Sequence, residues 1–152
     1  GDAGLFGRLE EEIVALRRAN IKYEIIPGVP SAMAAVASAG IPLTRRLNAR
    51  RVQFITGHDI EGKLPNDLNV SALTDPNVIT VIFMGKKTFP KLAKILLENG
   101  MPENTPAFLA ENVSRNDEKL TYSQLSLLPN IIQEKAINGP ALIILGPLAQ
   151  HE

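Results

Sequence analysis

The chain has no cysteine. A disulfide framework, cysteine-ligated zinc and thiol catalysis are therefore excluded, and a reducing compartment, with the cytoplasm as the expected location, suits it. Its two histidines, His58 and His151, give no zinc-binding spacing, so no metal is expected. Neither sign of charge is in excess: 16 Lys+Arg against 16 Asp+Glu leave a formal net charge of zero. No overall field then draws the molecule to nucleic acid or to an anionic membrane. No apolar run reaches the roughly 18 residues of a membrane helix, and no basic stretch followed by an apolar one opens the chain. Without a leader, the sequons Asn69-Val70-Ser71 and Asn112-Val113-Ser114 carry no weight. What is present is a folded-domain composition, 45% hydrophobic and 21% charged over 152 residues. That length supports one substantial core, or a piece of a two-part protein.

The pattern from Arg8 is helical, with Leu9, Ile13 and Leu16 on one stripe and acids early and arginines late, as the helix dipole favours. Lys22 to Ile26 reads as a short strand stopped by Pro27-Gly28, and Ser31 as the N-cap of an Ala-rich helix that Gly40 ends. Ile41 to Arg51 has linker character, with a new unit from Val52. Val52 to Thr56 is expected as a strand, Asn66 to Leu73 as a helical turn, and Val78 to Phe83 as a strand covered on both faces. A helix capped by Thr88 and ended by Gly100 follows. Then come strands at Ala107 to Asn112 and Lys119 to Gln124, a helix over Pro129 to Ile137, and a buried strand over Ala141 to Leu145. Strands alternating with helices imply an α/β sheet, whose ligands gather beyond the carboxyl ends of the strands. Those ends are Gly57-His58, Met84-Gly85, Glu111-Asn112-Val113 and Gly146.

Several segments invite a chemical reading. Gly57 to Leu64 has the glycine and lysine spacing of a P-loop, which would make the chain a non-catalytic nucleotide- or ligand-binding α/β module. However, Leu64 replaces the magnesium-binding hydroxyl, Asp59 and Glu61 stand where phosphate would sit, and Pro65 opposes an immediate helix. The opening Gly1-Asp2-Ala3-Gly4-Leu5-Phe6-Gly7-Arg8 reads either as a turn entering a helix or as a loop whose glycines let backbone approach a ligand. Arg45, Arg46, Arg50 and Arg51 form either a solvated linker or a grip on an anionic substrate, since guanidinium pairs bidentately with carboxylate. Lys86 and Lys87 have the same two readings. His58 has no Ser or Cys partner at a recognisable spacing.

In order, the opening glycine loop, Ile26-Pro27-Gly28-Val29-Pro30-Ser31, Gly40-Ile41-Pro42-Leu43-Thr44, Phe54-Ile55-Thr56-Gly57-His58, Phe83-Met84-Gly85, Thr105-Pro106-Ala107, Glu111-Asn112-Val113-Ser114-Arg115 and Pro140-Ala141-Leu142-Ile143-Ile144 resemble the tetrapyrrole methylase family across essentially the whole chain. The resemblance implies a two-domain α/β fold, with residues 1–43 ending the first domain and residues 44–152 forming the second, mixed-sheet domain. It also implies a homodimer and S-adenosylmethionine, with S-adenosylhomocysteine as its product, in the cleft between the domains. The implied activity is C-methylation of uroporphyrinogen III to precorrin-2, a step of sirohaem and cobalamin synthesis. Carried over by position, Gly1, Asp2, Leu5, Pro30, Ser31, Met84 and Val113 would contact the cofactor, while Arg45 and Arg46 would steer the polycarboxylate substrate. Val113 stands where Gly or Ala is frequent. The catalytic acid and base are expected in a segment before Gly1, so this chain alone is expected to be inactive.

Overall fold

A computed structural model describes residues 1–135, 137 and 139–149; His151 lies outside them, as does part of the expected Pro129 to Ile137 helix. Among the described residues no helix is long and apolar enough to cross a membrane.

Apolar stretches form the inner strands of one five-stranded sheet. Val78–Phe83 (β2) is buried along almost its whole length, as a continuous apolar run requires. It pairs in parallel with Arg51–Thr56 (β1) on one side and antiparallel with Ala141–Leu145 (β5) on the other. Pro106–Glu111 (β3) runs antiparallel to β5, and Lys119–Gln124 (β4) closes the far edge as the hairpin partner of β3, so the order is β1-β2-β5-β3-β4.

Alternating side chains feed two cores. On one face, Leu73 of Val70–Leu73 (α3), Phe89, Leu92 and Leu96 of Phe89–Glu98 (α4), and Leu128 and Ile132 of Leu128–Glu134 (α5) pack against Ile82, Leu109, Ile143 and Leu145. Each fully buried Phe or Leu there contributes roughly 2 kcal/mol. On the other face lies Ser31–Ala39 (α2). Its Ala32, Ala35, Val36 and Ala39 meet Ile79, Val81, Phe108 and Ile144, and the small side chains let the helix backbone lie close to the sheet. Gly40 ends α2 in the left-handed region at φ 67°. Leu9–Arg18 (α1) buries none of its residues fully.

Four expectations are corrected. Lys22 to Ile26 is not a strand: Ile21, Tyr23, Ile25 and Ile26 are exposed, and no described strand lies alongside to pair with them. Strand propensity needs a neighbouring ladder to become a strand. Ser31 is the first helical residue of α2, and Pro30 occupies the N-cap with no side-chain cap. Thr88 is the N-cap residue of α4 but does not cap it; its hydroxyl donates instead to the Gly57 and Gly85 carbonyls.

The fourth correction concerns direction. β4 returns the chain to the edge where β3 starts, as the Leu125 N–H to Thr105 O bond of 2.8 Å shows. The short α5 then carries it back, so β5 runs opposite to β1, β2 and β3. Gly146 therefore sits at the other edge from the remaining strand ends, where an added Cβ would lie 2.6 Å from Val78 O.

Candidate functional site

The carboxyl ends of β1, β2 and β3 share one edge with the start of β5. Gly57 and Gly85 touch backbone to backbone there: a Cβ on Gly57 would lie 2.2 Å from Gly85 Cα. The Gly57 N–H donates to Phe83 O (2.6 Å), and the Thr88 hydroxyl holds Gly57 O. Lys86 Nζ donates to Ile137 O (2.7 Å) and Gly139 O (2.9 Å), and the Asn112 N–H to Pro140 O (2.9 Å). These bonds knit four strand ends into one rigid rim.

The opening loop is fastened beside that rim by its one acid. Asp2 Oδ2 accepts from the Gly28 N–H and Oδ1 from the Gly4 N–H, both at 2.8 Å. The Gly28 bond foremost, then the Gly4 bond, holds the carboxyl below the usual aspartate range. Gly28 has to be glycine because a Cβ there would lie 2.0 Å from Gly1 O. Phe6 packs against Phe83 with the rings tilted (centroids 5.3 Å apart, 54° between planes), and Phe83 meets Phe54 in turn (6.1 Å). The loop thus rests on the end of β2.

Two cavities open at this edge and share His58 and Met84. The first, about 690 Å³, lies between Phe6, Arg8 and Glu11 on one wall and His58, Ile60 and Met84 on the other. Arg8 Nε and Nη2 grip both Glu11 oxygens at 2.8 and 2.5 Å, which raises the guanidinium pKa and lowers that of the carboxyl. The second, about 600 Å³, is bounded by Lys86, Lys87 and Thr88 and by Gly139 to Ala141. His58 Nδ1 meets Asp59 O at 2.8 Å. A carbonyl can only accept, so Nδ1 carries a proton in this contact.

Backbone strain collects here too. Of the seven described non-glycine residues with positive φ, five belong to the opening loop or the strand ends: Phe6, Arg8, Met84, Asn112 and Ser114. Each costs about 1 kcal/mol or more, a concentration typical of functional edges.

The expected cofactor residues fall into linked groups. Gly1, Asp2 and half-buried Leu5 belong to the opening loop; Asp2 ties it to Gly28, two residues before Pro30 and Ser31 at the start of α2. Met84, φ 54° and 42% exposed, faces both cavities. Val113 is separated from Met84 by β5, roughly 10 Å at ordinary strand spacing. Its extra bulk packs against the α2-side core. Arg45 and Arg46 lie exposed on a turn closed by the Arg45 N–H to Ala49 O bond (3.2 Å) and line neither cavity.

The P-loop spacing does not produce a phosphate cradle. Asp59 Oδ1 already accepts from the Glu61 and Lys63 N–H groups (2.8 and 2.9 Å), and Lys63 Nζ pairs with Glu61 at 2.6 Å. The amides a phosphate would need are spent on a carboxylate, and mainly the Lys63 bond lowers the Asp59 pKa. Arg8, Glu11 and Thr88 line these cavities without any site motif in the sequence that singles them out. The i, i+3 spacing of Arg8 and Glu11 was the available signal for their pairing.

Beside its carboxylate and ring-nitrogen acceptors, an adenosyl sulfonium offers several donors: an ammonium, ribose hydroxyls and an adenine amino group. The edge offers acceptors. Each Asp2 oxygen retains a lone pair beyond its amide bond. Glu111 Oε2 and Asn112 Oδ1 are buried without a partner among the described residues. The Asn112 amide orientation is set by its Nδ2 donation to Asp117 (2.8 Å). With Met84 as an apolar platform, the residues present fit such a group.

Comparison with known proteins points the same way. The siroheme synthase of Chromobacterium violaceum is 39% identical over 150 residues, 99% of this chain and 32% of that protein. The chloroplastic S-adenosyl-L-methionine-dependent uroporphyrinogen III methyltransferase of Arabidopsis thaliana is 34% identical over 99% of this chain and 41% of that protein. The chain thus spans about a third of the length of the curated relatives it matches. The uroporphyrin-III C-methyltransferase of Thermus thermophilus, solved with S-adenosylhomocysteine, superposes with a TM-score of 0.78 at 30% identity, covering 96% of this chain and 62% of that one. The family model for tetrapyrrole (corrin/porphyrin) methylases matches residues 1–129, from the opening loop past the carboxyl ends of β1, β2 and β3. By sequence, fold and the arrangement of that edge, the chain belongs to the tetrapyrrole methylase family.

Proposed function

We propose that the chain is part of an S-adenosylmethionine-dependent C-methyltransferase that converts uroporphyrinogen III to precorrin-2. The observation that carries this reading is the fastening of the opening loop, through Asp2 and Phe6, beside Met84 at the strand-end edge. In this reading residues 1–43 end a first domain and residues 44–152 form a second, two copies pair, and the enzyme works in the cytoplasm.

Bound at this edge, S-adenosylmethionine supplies an electrophilic sulfonium methyl. This chain's residues position it. Asp2 accepts from its polar end, Gly1 and the start of α2 at Pro30 and Ser31 offer close backbone approach, and Leu5, Met84 and Val113 give it apolar walls. In-line attack by an electron-rich pyrrole carbon then needs alignment and exclusion of water, which the rigid rim provides. Arg8, set by Glu11 in the first cavity, and the more distant Arg45 and Arg46 direct the substrate's carboxylates.

Calorimetric titration tests the cofactor assignment: S-adenosylhomocysteine saturates the protein and Mg-ATP gives no heat. Saturation by Mg-ATP alone overturns the assignment. Incubating the full-length protein with uroporphyrinogen III and S-adenosylmethionine and following precorrin-2 by mass tests the reaction.

A further inference from the structure

The second cavity continues past Lys86 and Lys87 into a further depression of about 560 Å³, completed by Pro90, Ile132 and Lys135. No acidic side chain lines that depression among the described residues. In the second cavity the one carboxylate, Glu61, is already held by Lys63. Lys86 directs two of its three donors to carbonyls and keeps one. Lys87 and Lys135 are exposed, and neither forms a salt bridge among the described residues. In a chain of zero net charge, three cations around two joined depressions without a free acid make a local anion-attracting strip.

The strip begins at Met84 and His58, which also wall the first cavity. A cavity of that size holds a ligand of roughly drug dimensions. A tetrapyrrole is a larger disc, apolar at its faces, with acetate and propionate arms around its rim. A disc whose reacting ring lies beside Met84 must project some of those arms beyond the first cavity.

We infer that Lys87 and Lys135, with the spare donor of Lys86, form a carboxylate-binding strip for rim arms of the tetrapyrrole on the α4–α5 side of the strand-end edge. This rests on the proposed function; it decides between the two sequence readings of Lys86 and Lys87 and adds Lys135, which the sequence pattern does not single out.

The test uses the full-length enzyme and oxidised uroporphyrin III, which binds without reacting, followed by fluorescence titration. The double variant Lys87→Glu/Lys135→Glu should weaken uroporphyrin binding about tenfold and flatten its salt dependence. It should leave S-adenosylhomocysteine affinity within about twofold, since both substitutions are exposed charges and neither lysine is among the cofactor contacts proposed above, although Lys87 shares a cavity with Met84. A porphyrin with methyl groups in place of the acetates should lose much of the difference between parent and variant. Lys94→Glu, an exposed α4 site outside both depressions, is the control and should change nothing. Porphyrin affinity equal in parent and double variant, in a parent that binds both ligands, overturns this inference alone. A parent that binds neither ligand overturns the proposed function and this inference with it.

Discussion

Replacing Gly57 by alanine puts a methyl group where the two strand ends meet. The added Cβ would stand 2.2 Å from Gly85 Cα, so the ends of β1 and β2 must open by about 1.2 Å to reach the 3.4 Å of ordinary contact. The obstacle is backbone, which cannot swing aside as a flexible side chain would. Forcing such a group into packed structure costs about 1–3 kcal/mol. Opening the gap also strains the Gly57 N–H to Phe83 O bond and the Thr88 grip on Gly57 O, worth about 1 kcal/mol each. The expected loss is therefore about 3 kcal/mol, which leaves a domain of ordinary stability folded and lowers its melting temperature by about 10 °C. Gly62→Ala is the internal control: its φ of 77° is left-handed but nothing lies within 4 Å, so only about 1 kcal/mol is expected. Urea denaturation measures both. Since His58 and Met84 flank the contact, Gly57→Ala should also reduce S-adenosylhomocysteine affinity and, by an ångström-scale misplacement, turnover by on the order of a hundredfold. A Gly57→Ala protein no less stable than Gly62→Ala would refute the claim that this contact fixes the rim.

Asp2→Asn keeps the shape but replaces one acceptor oxygen by a donor facing a backbone N–H, either at Gly4 or at Gly28. Weaker S-adenosylhomocysteine binding by calorimetry and faster amide exchange at Gly28 are expected; unchanged binding removes Asp2 from the site. The pKa values of Asp2, Glu11, Asp59 and Asp75 are all lowered in the folded chain. The folded state thus binds fewer protons, so their contribution is complete above about pH 4–5 and disappears as pH falls through the depressed values. Thermal melting between pH 6 and pH 2 should show that decline, and Asp59→Asn should make it shallower; a flat profile contradicts the bonding described. Charge reversal at Arg45 and Arg46 should raise KM for uroporphyrinogen III in the full-length enzyme with kcat little changed, and an unaltered KM excludes a steering role. Leu92→Ala, buried in the α4 core and lining none of the three cavities, should cost about 2–5 kcal/mol without selectively weakening cofactor binding.

Much of the scaffold could be read along the chain because local chemistry agrees with the tertiary structure. Val78 to Phe83 is apolar but for Thr80 and is covered on both faces, and the Phe89, Leu92 and Leu96 stripe of α4 faces the core its spacing implies. Gly40 and Gly100 end their helices at positive φ. Misreadings occur where a distant partner decides the outcome. Lys22 to Ile26 has strand chemistry, but no neighbouring ladder, and Thr88 has cap chemistry, but the Gly57 carbonyl across the rim takes its hydroxyl. Strand direction was equally hidden, because the reversal of β5 depends on where β4 and α5 leave the chain and not on any residue within Ala141 to Leu145.

The same distinction explains which parts of the site could be seen in advance. Asp2 and Gly28 stand out as a lone acid and a turn glycine, yet what they do depends on their meeting across twenty-six positions. The Gly57 to Lys63 segment shows the converse. Its spacing suggested a phosphate loop, and the acid that argued against that reading, Asp59, is the group that occupies the amides. A carboxylate in place of a phosphate makes the loop a fixed wall, and His58, held through Nδ1 by the same turn, lines both cavities. The strain at Met84 fits this construction. A left-handed methionine at the end of the most buried strand is tolerated because the glycine contact, the Thr88 hydroxyl and the Lys86 clamp determine the backbone around it. The rigidity of the rim and the exposure of Met84 are thus two consequences of one arrangement, and weakening the first should disorder the second before it unfolds the sheet.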